Sequence, residues 1–196
     1  MSHRLYHTEG FILQYRPRSE DSKLLYLFTP DFGLIVVVAQ GVRKETSKLR
    51  ANITDFSYGH YSLVRGREFW RLVSAEKSND FFGSLSSVEK RAIVGHIFRL
   101  LLILIEEEES REIFTELKEV FGWLAKLKDR DLILAVEKMA VLRLLHHLGY
   151  LKSDRQLDRF VSEKNWSVTD LTLLAEPKTS HYVVQYLNKT LKELHW

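Results

Sequence analysis

The spacing of apolar residues changes near residue 80, and this change restricts the possible folds more than any other feature of the sequence. Before it, short runs rich in β-branched and aromatic residues alternate with turn signals: "EGFILQYRP", "SKLLYLFTPDFG", "LIVVVAQG", "ITDFSYGHYSLVRG" and "EFWRLVSAE". After it, apolar residues recur every three or four positions, the period of an α-helix. The sequence therefore predicts an α+β chain, with five strands in residues 1–80 and a helical domain in residues 81–196.

The five predicted strands are short, and tight turns separate them. The stretch from Thr29 to Gly33, "TPDFG", has the Pro, Asp and Gly of a turn, and "VRGREFW" is typical of a hairpin bent at Gly66. In the fourth strand the aromatic residues change face at Gly59-His60, which predicts a β-bulge and a bend. Because closure removes the exposed edges of such a sheet, we predict a five-stranded OB-fold barrel followed by a helical bundle.

Five helices are predicted in the second part of the chain. A capping box at Ser86–Glu89 opens the first, Gly149 ends the third as its C′ residue, and Pro177 ends the fourth. Leu145 and Leu148 lie on the predicted core face of the third helix. The predicted spans are residues 86–105, 110–127, 129–149, 168–175 and 180 to the terminal region.

Several classes of protein are excluded by what the sequence lacks. It has no cysteine, which rules out disulfides, thiolate metal sites and cysteine nucleophiles. The longest purely apolar run, Leu100–Ile105, is far shorter than the ~20 residues of a membrane span. The first ten residues lack the apolar stretch of a signal peptide. We therefore expect a soluble, cytoplasmic protein with no membrane partner.

The sequence contains no recognisable catalytic constellation. It has no phosphate-binding Gly-x-x-x-x-Gly-Lys, no Gly-x-Ser-x-Gly and no His-Glu-x-x-His. His146 and His147 are adjacent on a helix, so their side chains point about 100° apart and do not share an ion. The acidic run Glu106–Glu109 fans around a helix axis in the same way and is typical of a solvated helix end. We predict a protein that is not an enzyme and needs no cofactor or metal.

Positive charge is concentrated in the first part of the chain. Residues 1–80 hold 12 Lys and Arg against 9 Asp and Glu, whereas residues 81–196 hold 17 of each kind. The excess follows the predicted third strand, where a basic arm begins after Gly41, and it continues into the last hairpin. Its cations are Arg43, Lys44, Lys48, Arg50, Arg65, Arg67 and Arg71, against the acids Glu45, Asp55 and Glu68.

A basic arm of this kind has two interpretations. Most Lys- and Arg-rich loops are solvated hairpin loops, but OB-fold barrels commonly bind nucleic-acid strands with basic side chains on phosphates and aromatic rings on bases. We expect Phe56 and Trp70 to be at least half buried, and place His60 and one tyrosine, Tyr61, on the exposed rim as stacking candidates. Together with the seven cations, these two residues make up the predicted DNA-binding set.

The order of several short motifs resembles the DNA repair protein RecO family. They are "HTEGFIL", Ser19-Glu20-Asp21-Ser22, "LFTPDFG", "VVAQGVRKETSKLR" and, far downstream, "LRLLHHLGYL". The resemblance covers the first ~80 residues well and the helical part mainly at residues 141–151. It implies a DNA-binding OB-fold with a helical domain for partners, and it places the arm after the Ala-x-Gly motif in contact with DNA.

The resemblance also implies a role and a set of partners. The role is recombination mediation at the nucleoid: binding single- and double-stranded DNA, annealing complementary strands and, with RecR, helping to load RecA onto DNA coated by single-stranded-DNA-binding protein. The acidic, Phe-ended tail of that last protein would need an apolar groove beside a cation. Candidates for this partner site are Leu142, Arg143, His146, Arg155 and Arg159.

The chain departs from the family pattern in one respect. Many members follow the Leu-Gly-Tyr motif with the cysteines of a zinc-finger-like module, whereas "LKSDRQLDRFVSEKNWSVTD" contains none, which excludes a cysteine-ligated zinc site here. Two other classes of function stay open. One is a protein adaptor whose barrel docks partners, and the other is an RNA-binding OB-fold module without annealing activity.

Overall fold

The computed structural model describes residues 4–78, 81, 85–105, 107–108, 111–162 and 165–194. It divides into two compact units. The barrel unit consists of Met1–Gly83 with Val94–Phe114, and the helical unit consists of Ser84–Ile93 with Thr115–Trp196.

The barrel unit contains a closed five-stranded barrel. Its strands are β1 (Leu5–Pro17), β2 (Lys23–Thr29), β3 (Gly33–Ala39), β4 (Ser57–Arg65) and β5 (Trp70–Lys77). They are ordered β1-β2-β3-β5-β4 around the barrel. The β3–β5 pair is parallel and the other pairs are antiparallel. This arrangement matches an OB-fold, so the predicted fold class, a five-stranded barrel followed by helices, is confirmed.

Both faces of the barrel wall are buried around the pair Phe11↔Tyr58 of β1 and β4. Alternate side chains such as Ile12, Val37 and Leu63 fill the barrel interior and are fully buried. On the outer side, the ring of Phe11 lies 4.9 Å from that of Tyr58 and 5.3 Å from that of Phe114. The strands are therefore held by an interior core and by an aromatic cluster outside it.

The predicted bulge at Gly59-His60 is wrong. Pairing of β1 with β4 runs without a shift from Leu5↔Val64 to Ile12↔Ser57. The register shifts lie elsewhere, in β1 between Ile12 and Gln14 and in β5 opposite Ser62/Leu63, where Val73 has no partner. The aromatic residues change face because Tyr58 packs outside the barrel and Tyr61 inside it, which requires no extra residue.

Six helices lie in the described part of the chain, and none of them is both long and apolar enough to cross a membrane. The short α4 was not predicted, and α6 begins at Pro177 rather than at Ser180. The predicted start of the second helix, Ser110, lies outside the described residues. The helices are α1 (Val88–Leu104), α2 (Arg111–Lys126), α3 (Arg130–His147), α4 (Asp158–Ser162), α5 (Val168–Ala175) and α6 (Pro177–Glu193).

The helix ends follow local signals in the sequence. At the start of α1, Ser87 Oγ accepts a hydrogen bond from the Lys90 N–H at 3.2 Å, so the cap is Ser87 and not the predicted box from Ser86. After α3, Gly149 has a φ of 75°, and the Tyr150 N–H donates to the Leu145 carbonyl at 2.8 Å. This is a Schellman ending, and it confirms Gly149 as the C′ residue.

Candidate functional site

The basic arm leaves the barrel directly after β3. Gly41, with a φ of 65°, turns the chain, and the next residue, Val42, is fully buried in the barrel core. At the far end of the arm, a short 3₁₀ turn at Arg50–Asn52 leads into the buried Ile53. The arm is therefore anchored in the core at both ends. Its four cations, Arg43, Lys44, Lys48 and Arg50, are exposed.

The first half of the arm is bound to the turn between β1 and β2. The Arg43 N–H donates to the Asp21 carbonyl at 3.1 Å, and Arg43 Nη1 donates to the Ser19 carbonyl at 2.9 Å. Lys44 Nζ lies 3.4 Å from the Asp21 carboxylate, in an ion pair with both side chains more than half exposed. Backbone hydrogen bonds therefore hold the arm in place, while the exposed ion pair adds only ~0–1 kcal/mol.

A second group of cations surrounds the turn between β4 and β5. A groove of about 750 Å³ there has arginine side chains from three different parts of the chain in its lining. We call it the arginine groove. Its lining residues are Arg18, Val38, Gln40, Arg65, Gly66, Arg67, Glu68, Phe69 and Arg71.

The β1–β2 turn connects the arginine groove with the basic arm. Arg18, in this turn, donates its N–H to the Ser22 carbonyl at 3.0 Å, and its guanidinium carbon lies 4.9 Å from the centroid of the Phe69 ring. The same turn supplies the carbonyls that hold Arg43. The arm, the turn and the groove therefore form one positively charged face of the barrel unit, which we call the basic surface.

The cations of the groove differ in how far they are neutralised. Arg65 lies 3.6 Å from the Glu107 carboxylate, which also accepts a hydrogen bond from Trp70 Nε1 at 3.3 Å. Arg67 and Arg71 are exposed, and neither forms an ion pair with a carboxylate of the described residues. Their charge is thus available to an anion.

Lys23, a partly buried lysine near the arm, has a pKa that is changed by burial and by the charged groups around it. Burial lowers the pKa of Lys23; nearby Asp55 opposes this, while Arg43 and Arg50 lower the pKa further. Lys23 Nζ donates to the Ile53 carbonyl at 3.3 Å and lies 3.6 Å from the centroid of the Tyr15 ring. Among the nearby charges, the Asp55 carboxylate therefore acts most strongly on Lys23, ahead of the two arginines.

The structure separates the two predicted stacking residues from the basic surface. Tyr61 is only 3% exposed and packs in the barrel core, so the expectation that it lies on the rim is wrong. Burial raises the pKa of its hydroxyl. His60 is exposed, but its strand neighbours are Glu9 on β1 and Glu76 on β5, an unfavourable setting for a phosphate. Trp70 is buried, as predicted.

Two of the five predicted partner-binding residues are core residues. Leu142 and Arg143 are 0% and 2% exposed, which contradicts a surface role for them. Arg143 Nη1 lies 3.0 Å from a Glu116 carboxylate oxygen, and Arg143 Nε donates to the Phe160 carbonyl at 2.9 Å. The other carboxylate oxygen of Glu116 accepts a hydrogen bond from Trp166 Nε1 at 2.6 Å. This is a buried polar cluster that holds the helical unit together.

The remaining three partner candidates, His146, Arg155 and Arg159, are exposed. Arg159 is not free, because Nε and Nη2 donate to one Asp170 carboxylate oxygen at 3.0 and 2.7 Å. In the part of the chain that the structure describes, no group of three or more His, Asp or Glu side chains is placed to hold a metal ion.

Sequence reasoning missed Arg18 and Lys23. A signal for Arg18 was present, because "RPR" carries two arginines around Pro17 immediately before the first turn. Its proximity to Phe69 depends on barrel closure and cannot be read from the sequence. Phe69 likewise is not among the residues predicted to stack on bases.

The fold and the basic surface define an OB-fold protein with a positively charged face. Residues 1–81 match the family model described as "Recombination protein O N terminal". The DNA repair protein RecO of Clostridium novyi (strain NT) is 31% identical over 147 residues, which cover 74% of this chain and 57% of that protein. Its counterpart from Clostridium perfringens (strain 13 / Type A) is 32% identical over 146 residues, or 72% of this chain and 57% of the relative.

A relative from a different genus is similar to the same extent. The DNA repair protein RecO of Trichodesmium erythraeum (strain IMS101) is 30% identical over 128 residues, covering 65% of this chain and 44% of that protein. The chain is therefore related to the RecO family, and the resemblance carried by its motifs is confirmed. It spans less than three fifths of the length of these curated relatives.

Proposed function

We propose that the chain is a DNA-binding recombination mediator in DNA repair. It binds single- and double-stranded DNA on the basic surface, anneals complementary strands without catalysing a chemical reaction, and with RecR helps to load RecA. DNA binding belongs to residues 1–80 and partner binding to residues 81–196. This role implies that it acts in the cytoplasm, at the nucleoid.

The observation that supports DNA binding best is the continuity of the basic surface. Cations from the arm, the β1–β2 turn and the β4–β5 turn share one face, held by backbone hydrogen bonds such as Arg43 N–H to the Asp21 carbonyl. Phosphates supply most of the affinity in nucleic-acid binding, and guanidinium groups suit them because they donate several hydrogen bonds in one plane. The names of the relatives, DNA repair protein RecO, point to the same substrate.

A groove in the helical unit supports docking of the acidic, Phe-ended tail of single-stranded-DNA-binding protein. It has a volume of about 630 Å³, with Leu157, Phe160 and Val183 among its apolar lining residues and the exposed Lys178 as a cation. An apolar groove beside a cation meets both requirements of such a tail. Lys178→Glu should weaken binding of a tail peptide several-fold while leaving DNA binding by the barrel unchanged.

Salt dependence of binding tests the proposed DNA path. Each neutralised phosphate contributes about 0.7 to 0.9 to the slope of log affinity against log salt, so the triple variant Arg43→Ala/Lys44→Ala/Lys48→Ala should flatten the slope by ~2. The matched control removes three exposed lysines of the helical unit and should leave the slope unchanged. Its substitutions are Lys128→Ala, Lys189→Ala and Lys192→Ala.

Wild-type slope and affinity in the folded triple variant would place the DNA path outside the arm. The same set of assays separates the other two functions. DNA binding that does not depend on salt would favour the protein adaptor. A strong preference for RNA over DNA of the same sequence would favour the RNA-binding module. Annealing of complementary strands by the pure protein should proceed without ATP.

A further inference from the structure

The arginine groove differs from the basic arm in one chemical respect. Residues 40–52 of the arm, "QGVRKETSKLRAN", include no aromatic residue. The groove contains Phe69, which is partly exposed, and the Arg18 guanidinium lies over its ring at 4.9 Å. The arm therefore offers charge alone, whereas the groove offers charge together with a guanidinium–aromatic pair.

This pair is held from both sides of the groove. Phe69 is the last residue of the β4–β5 turn, where its carbonyl accepts a hydrogen bond from the Gly66 N–H at 3.1 Å. Arg18 is held by its own N–H, which donates to the Ser22 carbonyl across the β1–β2 turn at 3.0 Å. Arg18 is exposed and Phe69 is partly exposed. A flat ligand can therefore stack there without displacing a core residue.

Flat surfaces of this kind distinguish single strands from duplexes. In a duplex each base is covered by its neighbours in the stack, whereas an unpaired base has free faces that pack on aromatic or guanidinium planes. Phosphates are present in both forms, so cations alone do not discriminate. A lysine ammonium, a compact point charge, does not replace a guanidinium in stacking.

We propose, on the basis of the DNA-binding function proposed above, that Arg18 and Phe69 make the arginine groove a subsite for an unpaired base. The groove then binds single-stranded DNA, with phosphates on Arg67 and Arg71 and one base stacked on the Arg18–Phe69 pair. The arm contacts phosphates of single- and double-stranded DNA alike. Arg18 and Phe69 thereby set the preference for single strands, while the arm sets the overall affinity.

The test compares a single-stranded oligonucleotide with a duplex of the same length. Arg18→Lys keeps the charge and removes the planar group, and Phe69→Leu keeps an apolar side chain and removes the ring. Each should weaken single-strand binding about tenfold, the effect of losing one stacked base. Duplex affinity should stay within about twofold of wild type. The slopes of log affinity against log salt for the single strand and the duplex should not change, because no phosphate contact is removed. The matched control Arg130→Lys makes the same exchange at an exposed arginine of the helical unit and should leave both affinities, and hence their ratio, unchanged.

A spectroscopic readout separates stacking from a purely structural role. A fluorescent adenine analogue in the single strand should be quenched on binding to wild type, and less so on binding to Arg18→Lys or Phe69→Leu. An unchanged affinity ratio and unchanged quenching in both variants would refute the subsite. The same holds for an equal loss of single-strand and duplex binding. Wild-type protein that bound neither DNA would instead refute the proposed function and, with it, the subsite.

Discussion

Replacing Arg143 by Met tests whether the buried polar cluster stabilises the helical unit. Its side chain is 3% exposed and that of Glu116 is 10% exposed, with 3.0 Å between Nη1 and the carboxylate oxygen. Met fills a similar volume but donates no hydrogen bond, so it leaves the Glu116 charge without its guanidinium and the Phe160 carbonyl without its donor. Removal of one partner of a buried pair typically costs about 3–5 kcal/mol.

A matched surface pair provides the control. Arg130 Nε lies 3.0 Å from a Glu89 carboxylate oxygen, the same separation, but the Arg130 side chain is 77% exposed. Arg130→Met should therefore cost only ~0–1 kcal/mol. In the double variant Arg143→Met/Glu116→Gln, the amide oxygen can still accept from Trp166 Nε1, and neither substituted residue carries a charge. The decrease in its free energy of unfolding should be smaller than the sum of the decreases in Arg143→Met and Glu116→Gln by ~0.5–3 kcal/mol.

The assay is urea denaturation, followed in parallel by far-UV circular dichroism and tryptophan fluorescence. Unchanged slopes with denaturant would show that the variants differ in stability and not in the structure of the unfolded chain. A loss below ~1 kcal/mol for Arg143→Met, equal to that of Arg130→Met, would refute the buried-pair interpretation.

Three further predictions concern single side chains. Leu145 is fully buried, so Leu145→Ala should lower the free energy of unfolding by ~2–5 kcal/mol in urea denaturation. A decrease below ~1 kcal/mol would mean that Leu145 does not pack in the core. Glu107→Gln removes the anion that pairs with Arg65, so DNA affinity at low salt should rise roughly two- to fivefold, whereas an unchanged or lower affinity would show that the pair does not compete with phosphate. Burial opposes ionisation of Glu116, but hydrogen bonds from His147 and Trp166 and the charge of Arg143 outweigh it and lower its pKa. Its ionised form thus stabilises the fold above the ordinary value of 4.5 and loses that effect as the pH falls through the lowered pKa, so the stability gap between wild type and Glu116→Gln should narrow on acidification.

Local signals were sufficient to predict most of the fold. The turn at Gly33, the bend after Gly41 and the helix end at Gly149 all require a positive φ, which glycine adopts without strain. The alternation of apolar residues predicted five strands, and their number and length favoured closure. These features depend on residues close together in the sequence, so they are readable without a structure.

The errors about burial share one physical cause, which is contact between residues distant in the sequence. Alternation tells which residues of a strand share a face, but Tyr58 is covered outside the barrel by Phe11 and Phe81, so burial on that strand does not mark the interior. In α3 the buried Arg143 resembles a surface cation in sequence, because its partner Glu116 lies on another helix. Neither packing arrangement leaves a local pattern.

The basic surface shows the same limit and leads to one more prediction. Arg43 holds the β1–β2 turn through Ser19 and Asp21, and that turn carries Arg18. Arg43→Ala removes the side-chain bond to the Ser19 carbonyl and keeps the backbone bond to Asp21, so it should loosen the turn in part and reduce the single-strand preference about twofold, besides removing one phosphate contact. In the part of the chain that the structure describes, no hydrogen bond or ion pair involves the side chain of Lys48. Lys48→Ala should therefore lower the salt slope about as much as Arg43→Ala, because each removes one phosphate contact, but it should not change the single-strand preference. Equal single-strand preferences in the two variants, measured with the same oligonucleotide and duplex, would show that the arm and the groove act independently.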